Sequence, residues 1–179
     1  MTVLHLPPGS INPGQIGEQW VLIFGGVTRQ GNRTARRTAA EVLAAGLDVV
    51  WFDGFVEKFP DGDDRVPLDV ETIKGRLTIV EFEQAEARSL ASRLRAGKTM
   101  GSNVVTKLIW RLFTRRLGSI LRPRACWRVV RPDVVALSQQ AGPPESVVYG
   151  DDTSITSAWH AARIWPEVRV STSLSVGTE

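Results

Sequence analysis

The sequence predicts an α/β fold, a doubly wound and mainly parallel sheet of about five strands flanked by helices, and three observations carry that expectation. The run Val21-Leu22-Ile23-Phe24 is apolar at every position, as a strand covered on both faces must be. It passes through Gly25-Gly26 into a helical stretch and then a second strand, which is the order of a βαβ unit. The closing section repeats the rhythm, with Val147-Val148-Tyr149, a Gly150-Asp151-Asp152 loop, a helix and a last strand.

Taken in order, residues 1–19 hold Pro7, Pro8, Gly9, Pro13 and Gly14, and are set apart as a flexible segment ahead of a domain spanning 20–179. They lack the basic start and apolar core of a signal peptide. The first strand runs from Val21 to Val27, a loop from Thr28 to Arg33, and an Ala-rich helix from Thr34 to Gly46. The second strand is Leu47 to Phe52. An acidic, turn-rich loop follows to Asp64, then Val66 to Ile73, and a β-branched third strand from Arg76 to Phe82.

A basic helical segment is expected over 84–131. Its first helix, 84–96, stops at Gly97; its second, 103–121, is capped by Ser102 or Asn103 and places Val104, Leu108, Ile109 and Leu112 on one stripe. Pro123 ends or kinks that helix, and a third stretch runs from Arg124 to about Val130. Pro132 suits the first turn of a short helix reaching Gln140, although residues 132–137 also read as a strand. Ser146 to Tyr149 is the fourth strand, Thr153 to Trp165 a helix stopped by Pro166, and Val168 to Ser173 the fifth strand.

The expected strand order is 3-2-1-4-5. Ligands of such sheets bind at the carboxyl ends of the strands where the order reverses, here between the first and fourth strands. That rule brings Gly25-Gly26 and Gly150-Asp151-Asp152 to one crevice.

At 179 residues, with 42% hydrophobic and 23% charged residues, the chain suits one globular domain and neither disorder nor a fibrous repeat. Cys126 is the single cysteine, so no internal disulfide forms, and its simplest role is that of a small buried hydrophobe. No apolar stretch is long enough to span a bilayer. A cytoplasmic protein is expected. The net charge is only +3, but twelve of the 22 Lys and Arg residues lie between Arg88 and Arg131, where there is no Asp or Glu. The basic helix 103–121 either packs on the sheet or meets an anionic membrane as a peripheral contact on its inner face; no RNA-binding motif accompanies it, and nucleic acid is not expected as a partner.

For chemistry, Gly25 and Gly26 leave room for a ligand beside the free N–H groups of a helix start, and Thr28, Arg29 and Asn32 add donors. The same residues also read as a tight turn, because neither the Gly-x-Gly-x-x-Gly spacing nor a Gly-Lys-Ser/Thr loop is present. Asp151 and Asp152 read as a general base with a sugar-hydroxyl acceptor, as metal ligands, or as the N-cap of the helix at Thr153, which would engage only one of them. Tyr149-Gly150-Asp151-Asp152 is similar to the metal hairpin of viral RNA-dependent polymerases, but the rest of that family's pattern is missing and a helix follows; no metal site is expected. His5 and His160 are the only histidines, too few for a zinc cluster, and His160 reads as a packed or half-exposed helix residue. Trp51, Trp110, Trp127, Trp159 and Trp165 are expected to supply core area, and Trp20 to flank the first strand.

Three stretches resemble the N-terminal half of GT-B glycosyltransferases: Val21 to Gly26, the helix and strand from Asn32 to Val50, and Val147 to Asp152 followed by Ala158 to Arg163. The resemblance implies a Rossmann-like domain that binds the acceptor, which is a glycan, a lipid-linked or a small molecule. It implies no bound cofactor but a nucleotide-sugar co-substrate, held by a donor domain supplied in cis or in trans. Asp151 or Asp152 would then contact the acceptor as the catalytic pair, with Gly25, Gly26 and Arg29 bordering the diphosphate. As a fragment, a split subunit or a degenerate domain, the chain is expected to show little or no turnover alone; the alternative reading is a noncatalytic Rossmann-like module that engages an anionic membrane, a phosphate ligand or a partner protein through its basic helix.

Overall fold

In the computed structural model, residues 3–26, 28–54, 75–81 and 123–172 are described. They form a six-stranded, wholly parallel sheet. The strands are β1 (Val3–Leu6), β2 (Trp20–Gly26), β3 (Asp48–Asp53), β4 (Leu77–Glu81), β5 (Ser146–Tyr149) and β6 (Arg169–Ser171). Three helices are described: α1 (Arg29–Ala44), α2 (residues 123–140) and α3 (Ile155–Ile164). The expected helices at 84–96 and 103–121, the acidic loop after Asp53 and the stretch Val66 to Ile73 lie outside the described residues, as does Trp110.

The sheet order β1-β4-β3-β2-β5-β6 contains the expected 3-2-1-4-5 arrangement, with one strand added at the edge. β2 is central because it is buried at all seven positions, and its side chains alternate between two cores. Val21 and Ile23 meet Ala35, Ala39, Val42 and Leu43 of α1, while Trp20, Leu22 and Phe24 meet Cys126, Val130, Val134 and Leu137 of α2 and Ala158, Ala161 and Trp165 of α3. Helices thus cover both faces, the doubly wound arrangement. Trp20, expected to flank the strand, is fully buried, with its ring 6.0 Å from that of Trp165.

Beyond shifts of one or two residues at other ends, three differences from expectation have a physical reason. α1 begins five residues early, at Arg29, because Thr28 is its N-cap and accepts the Gly31 N–H at 3.0 Å. It ends as a Schellman turn, the amides of Gly46 and Leu47 donating to the carbonyls of Leu43 and Val42.

α2 is one helix through Pro132 rather than two segments. Its buried residues Cys126, Val130, Val134 and Leu137 form a continuous stripe on the sheet, and Pro132 sits on the exposed side. An interior proline costs about 3 kcal/mol, whereas each large aliphatic buried beyond it contributes about 1.5–3 kcal/mol, so the stripe prevails.

The third difference is at the N-terminus. Residues 3–6, set apart from the domain on composition, pair with β4 in register His5↔Ile79. The following segment is held by side chains remote in sequence. Asp133 of α2, 2% exposed, accepts the Gly9 N–H at 2.7 Å and the Ile11 N–H at 3.4 Å. Asp48 accepts the Gly17 N–H at 2.8 Å, and Arg76 donates to the Gln15 carbonyl at 2.8 Å.

Candidate functional site

The two loops join at the carboxyl ends of β2 and β5, neighbours at the point where the strand order reverses. At the tip of β2 the register against β3 shifts, with Phe24 opposite Phe52 and Gly26 opposite Asp53, so that Gly25 is the extra residue of a bulge. Gly26 then takes φ +75°, and a Cβ there would overlap the Asp151 carboxylate. At the tip of β5 the Gly150 N–H continues the ladder to the Phe24 carbonyl at 2.8 Å. A side chain on Gly150 would strike the Gly31 carbonyl in the first turn of α1.

Asp151 ties these pieces together. Its Oδ2 accepts the backbone N–H of Thr28 at 2.9 Å and the Thr28 hydroxyl at 2.8 Å. Its Oδ1 accepts the Thr153 N–H at 2.9 Å, the Thr153 hydroxyl at 2.6 Å and the Ser154 N–H at 3.1 Å. A carboxylate offers about four lone-pair sites, and five donors from the chain itself crowd this one. The charge also sits at the positive ends of α1 and α3. The cap alternative therefore describes Asp151, although the N-cap position of α3 is Ser154, whose own side chain makes no cap bond. Asp152 is exposed beside it.

The other expected ligand residues divide. Thr28 is in the crevice, its donors turned to Asp151. Gly25 lies under the Trp51 indole, so its lack of a side chain serves packing. Asn32 is 1% exposed and its side-chain amide is engaged within the fold, donating to Asp53 Oδ1 at 3.0 Å and accepting from Arg36 Nε at 2.9 Å. Arg36 in turn lies 5.8 Å from the Trp51 ring centroid. The backbone of Arg29 opens α1.

A shallow hollow, with room for about one water molecule, adjoins the Asp151 clamp on the face that α2 and α3 cover. Phe24 and Phe52, stacked at 5.5 Å, form its floor with Cys126 and Val130, and Gly26, Thr153, Ser154 and Ser157 form its polar side. The hydroxyl residues were the missed part of the site. The signal for them was the Thr-Ser-x-x-Ser spacing from Thr153 to Ser157, which follows the Asp pair directly.

Cys126 is buried, as a small hydrophobe. Trp159 is not in the core but 53% exposed, and His160 is half-buried. Among the described residues, no three His, Cys, Asp or Glu side chains converge on a metal position, and no helix is long and apolar enough to cross a membrane.

These features define an α/β, Rossmann-like sheet with a polar crevice at its switch point. Comparison with protein-family models, with curated proteins and with solved structures finds no match to the chain.

Proposed function

We propose that the chain is the acceptor-binding half of a sugar transferase of GT-B architecture, working with a donor domain in cis or in trans. The observation that carries this reading is the lining of the crevice. Over the buried Phe24 and Phe52, its described lining carries the hydroxyl residues Thr153, Ser154 and Ser157 and no Lys or Arg, which suits an uncharged, hydroxyl-bearing ligand at its mouth better than a phosphate. A diphosphate is disfavoured there, because the Asp151 carboxylate, held by the Thr28, Thr153 and Ser154 amides, puts a negative charge at both helix starts. Nucleotide-sugar recognition then falls to the donor domain. Asp152, exposed beside Asp151, is the carboxylate that would accept a hydrogen bond from the acceptor's hydroxyl.

Calorimetric titration of the full chain with a panel of oligosaccharides and, separately, with nucleoside diphosphates tests the reading. A glycan should bind, with Asp152→Asn weakening it about tenfold, as the loss of one charge-assisted hydrogen bond does. Binding of a nucleoside diphosphate in the absence of any glycan binding would overturn it.

A further inference from the structure

Away from the crevice, α3 exposes Ile155 and Trp159, 43% and 53% accessible, one turn apart on the same stripe. Arg163 extends that stripe, its guanidinium 4.8 Å from the Trp159 ring centroid. His160 stacks on Trp127 of α2, with centroids 4.6 Å apart and planes within 9°, and it also meets Trp159 edge-on at 4.8 Å. The two helices therefore present one continuous aromatic surface.

Its border is basic. Arg124 and Arg131 lie one turn before and one turn after Trp127, with Arg128 beside it, and all three are exposed. None of the three is ion-paired among the described residues. Residues 123–131 and 153–166 contain no Asp or Glu, and the next acid on α2, Asp133, is buried against Gly9 and Ile11. Burial, and then the charges of Arg163 and Arg131, lower the pKa of His160 from 6.5, so the arginines rather than the imidazole carry the charge at neutral pH.

We propose that this face of α2 and α3 docks on an anionic phospholipid bilayer, with Trp159 and Ile155 entering the interfacial layer and Arg124, Arg128, Arg131 and Arg163 meeting lipid phosphates. Charge complementarity requires an anionic occupant. Ile155 and Trp159 require one with an apolar layer beneath its charge, and tryptophan settles at the headgroup level. A single-stranded nucleic acid would need open ring faces on which to stack. His160 already stacks on Trp127, and Arg163 lies over Trp159. The contact is distinct from the helix expected at 103–121 and stands whatever the crevice binds.

The test is cosedimentation of the full chain with vesicles of equimolar phosphatidylglycerol and phosphatidylcholine, compared with pure phosphatidylcholine, at low and high salt. The chain should sediment with the anionic vesicles and be released by salt. Arg124→Gln/Arg128→Gln/Arg131→Gln should lower partitioning about a hundredfold, at roughly fivefold per arginine. Trp159→Ala, which leaves the charge unchanged, should lower it roughly tenfold. Melting curves establish that both variants fold, which the exposure of all four side chains favours. Unchanged sedimentation of both variants would overturn the proposal. So would a wild-type chain that ignores the vesicles, whether or not it binds a single-stranded oligonucleotide.

Discussion

Asp151 does with its own carboxylate what a bound anion does at other helix N-termini: it collects the orphan amides of two helices and joins their loops. The consequence is a structural role for one member of the Asp pair and a free surface for the other. Asp151→Ala strands the part-buried donors of Thr153 and Ser154 and releases the exposed ones of Thr28; hydrogen bonds to a charged group are worth about 1.5–3 kcal/mol but do not add fully. A loss of about 2–4 kcal/mol in a urea melt is expected. Asp152→Ala, at an exposed position one residue away, should fall within about 0.5 kcal/mol of wild type. Equal effects from the two substitutions would remove the clamp from the account of this site.

At the scale of elements, α2 gives the sharpest test, because its continuity is the point on which local and tertiary preferences disagree. If Pro132 opened a separate helix, as local preference suggests, its missing N–H would cost nothing and Pro132→Ala would be neutral or harmful. Because it lies inside one helix, with residues 123–131 before it, alanine restores an i→i−4 bond and should stabilise the chain, by up to about 3 kcal/mol in thermal or denaturant unfolding.

The same contrast explains what was legible in the sequence. The unbroken apolar run Val21 to Phe24, read as covered on both faces, and the strand order follow from local pattern and the crossover rules, and both are in the structure. The start of α1 was less legible, since Gly31 and Asn32 resemble loop residues and a single capping threonine is a faint signal. The crevice was legible as a place but not as a set of contacts. Asp151 and Thr28 are 123 residues apart, and no periodicity reports a bond of that span. Trp159 misled for a related reason: residue type predicts core, but helical phase puts it beside Ile155 and Arg163 on the outer stripe.

At the scale of the whole molecule, the sheet is closed at one edge by a strand that sequence composition hides. β1 has four residues, and such a strand is marginal on its own hydrogen bonds. What keeps it on β4 is the segment behind it, whose Gly9 and Ile11 amides end on Asp133, 124 and 122 residues away. That long-range tie couples the sheet edge to α2 on the opposite side of the chain's course. Asp133→Ala leaves two part-buried amides without their acceptor, which costs about 1–3 kcal/mol for each group left unpaired. The loss should be local before it is global: in hydrogen exchange, the amides of Val3 to Leu6 should lose protection while those of β2 keep theirs. Asp133→Asn retains one acceptor oxygen and should restore part of the protection. If β1 exchanges at the wild-type rate in Asp133→Ala, its pairing with β4 is self-sufficient, and the buried aspartate serves only its own helix.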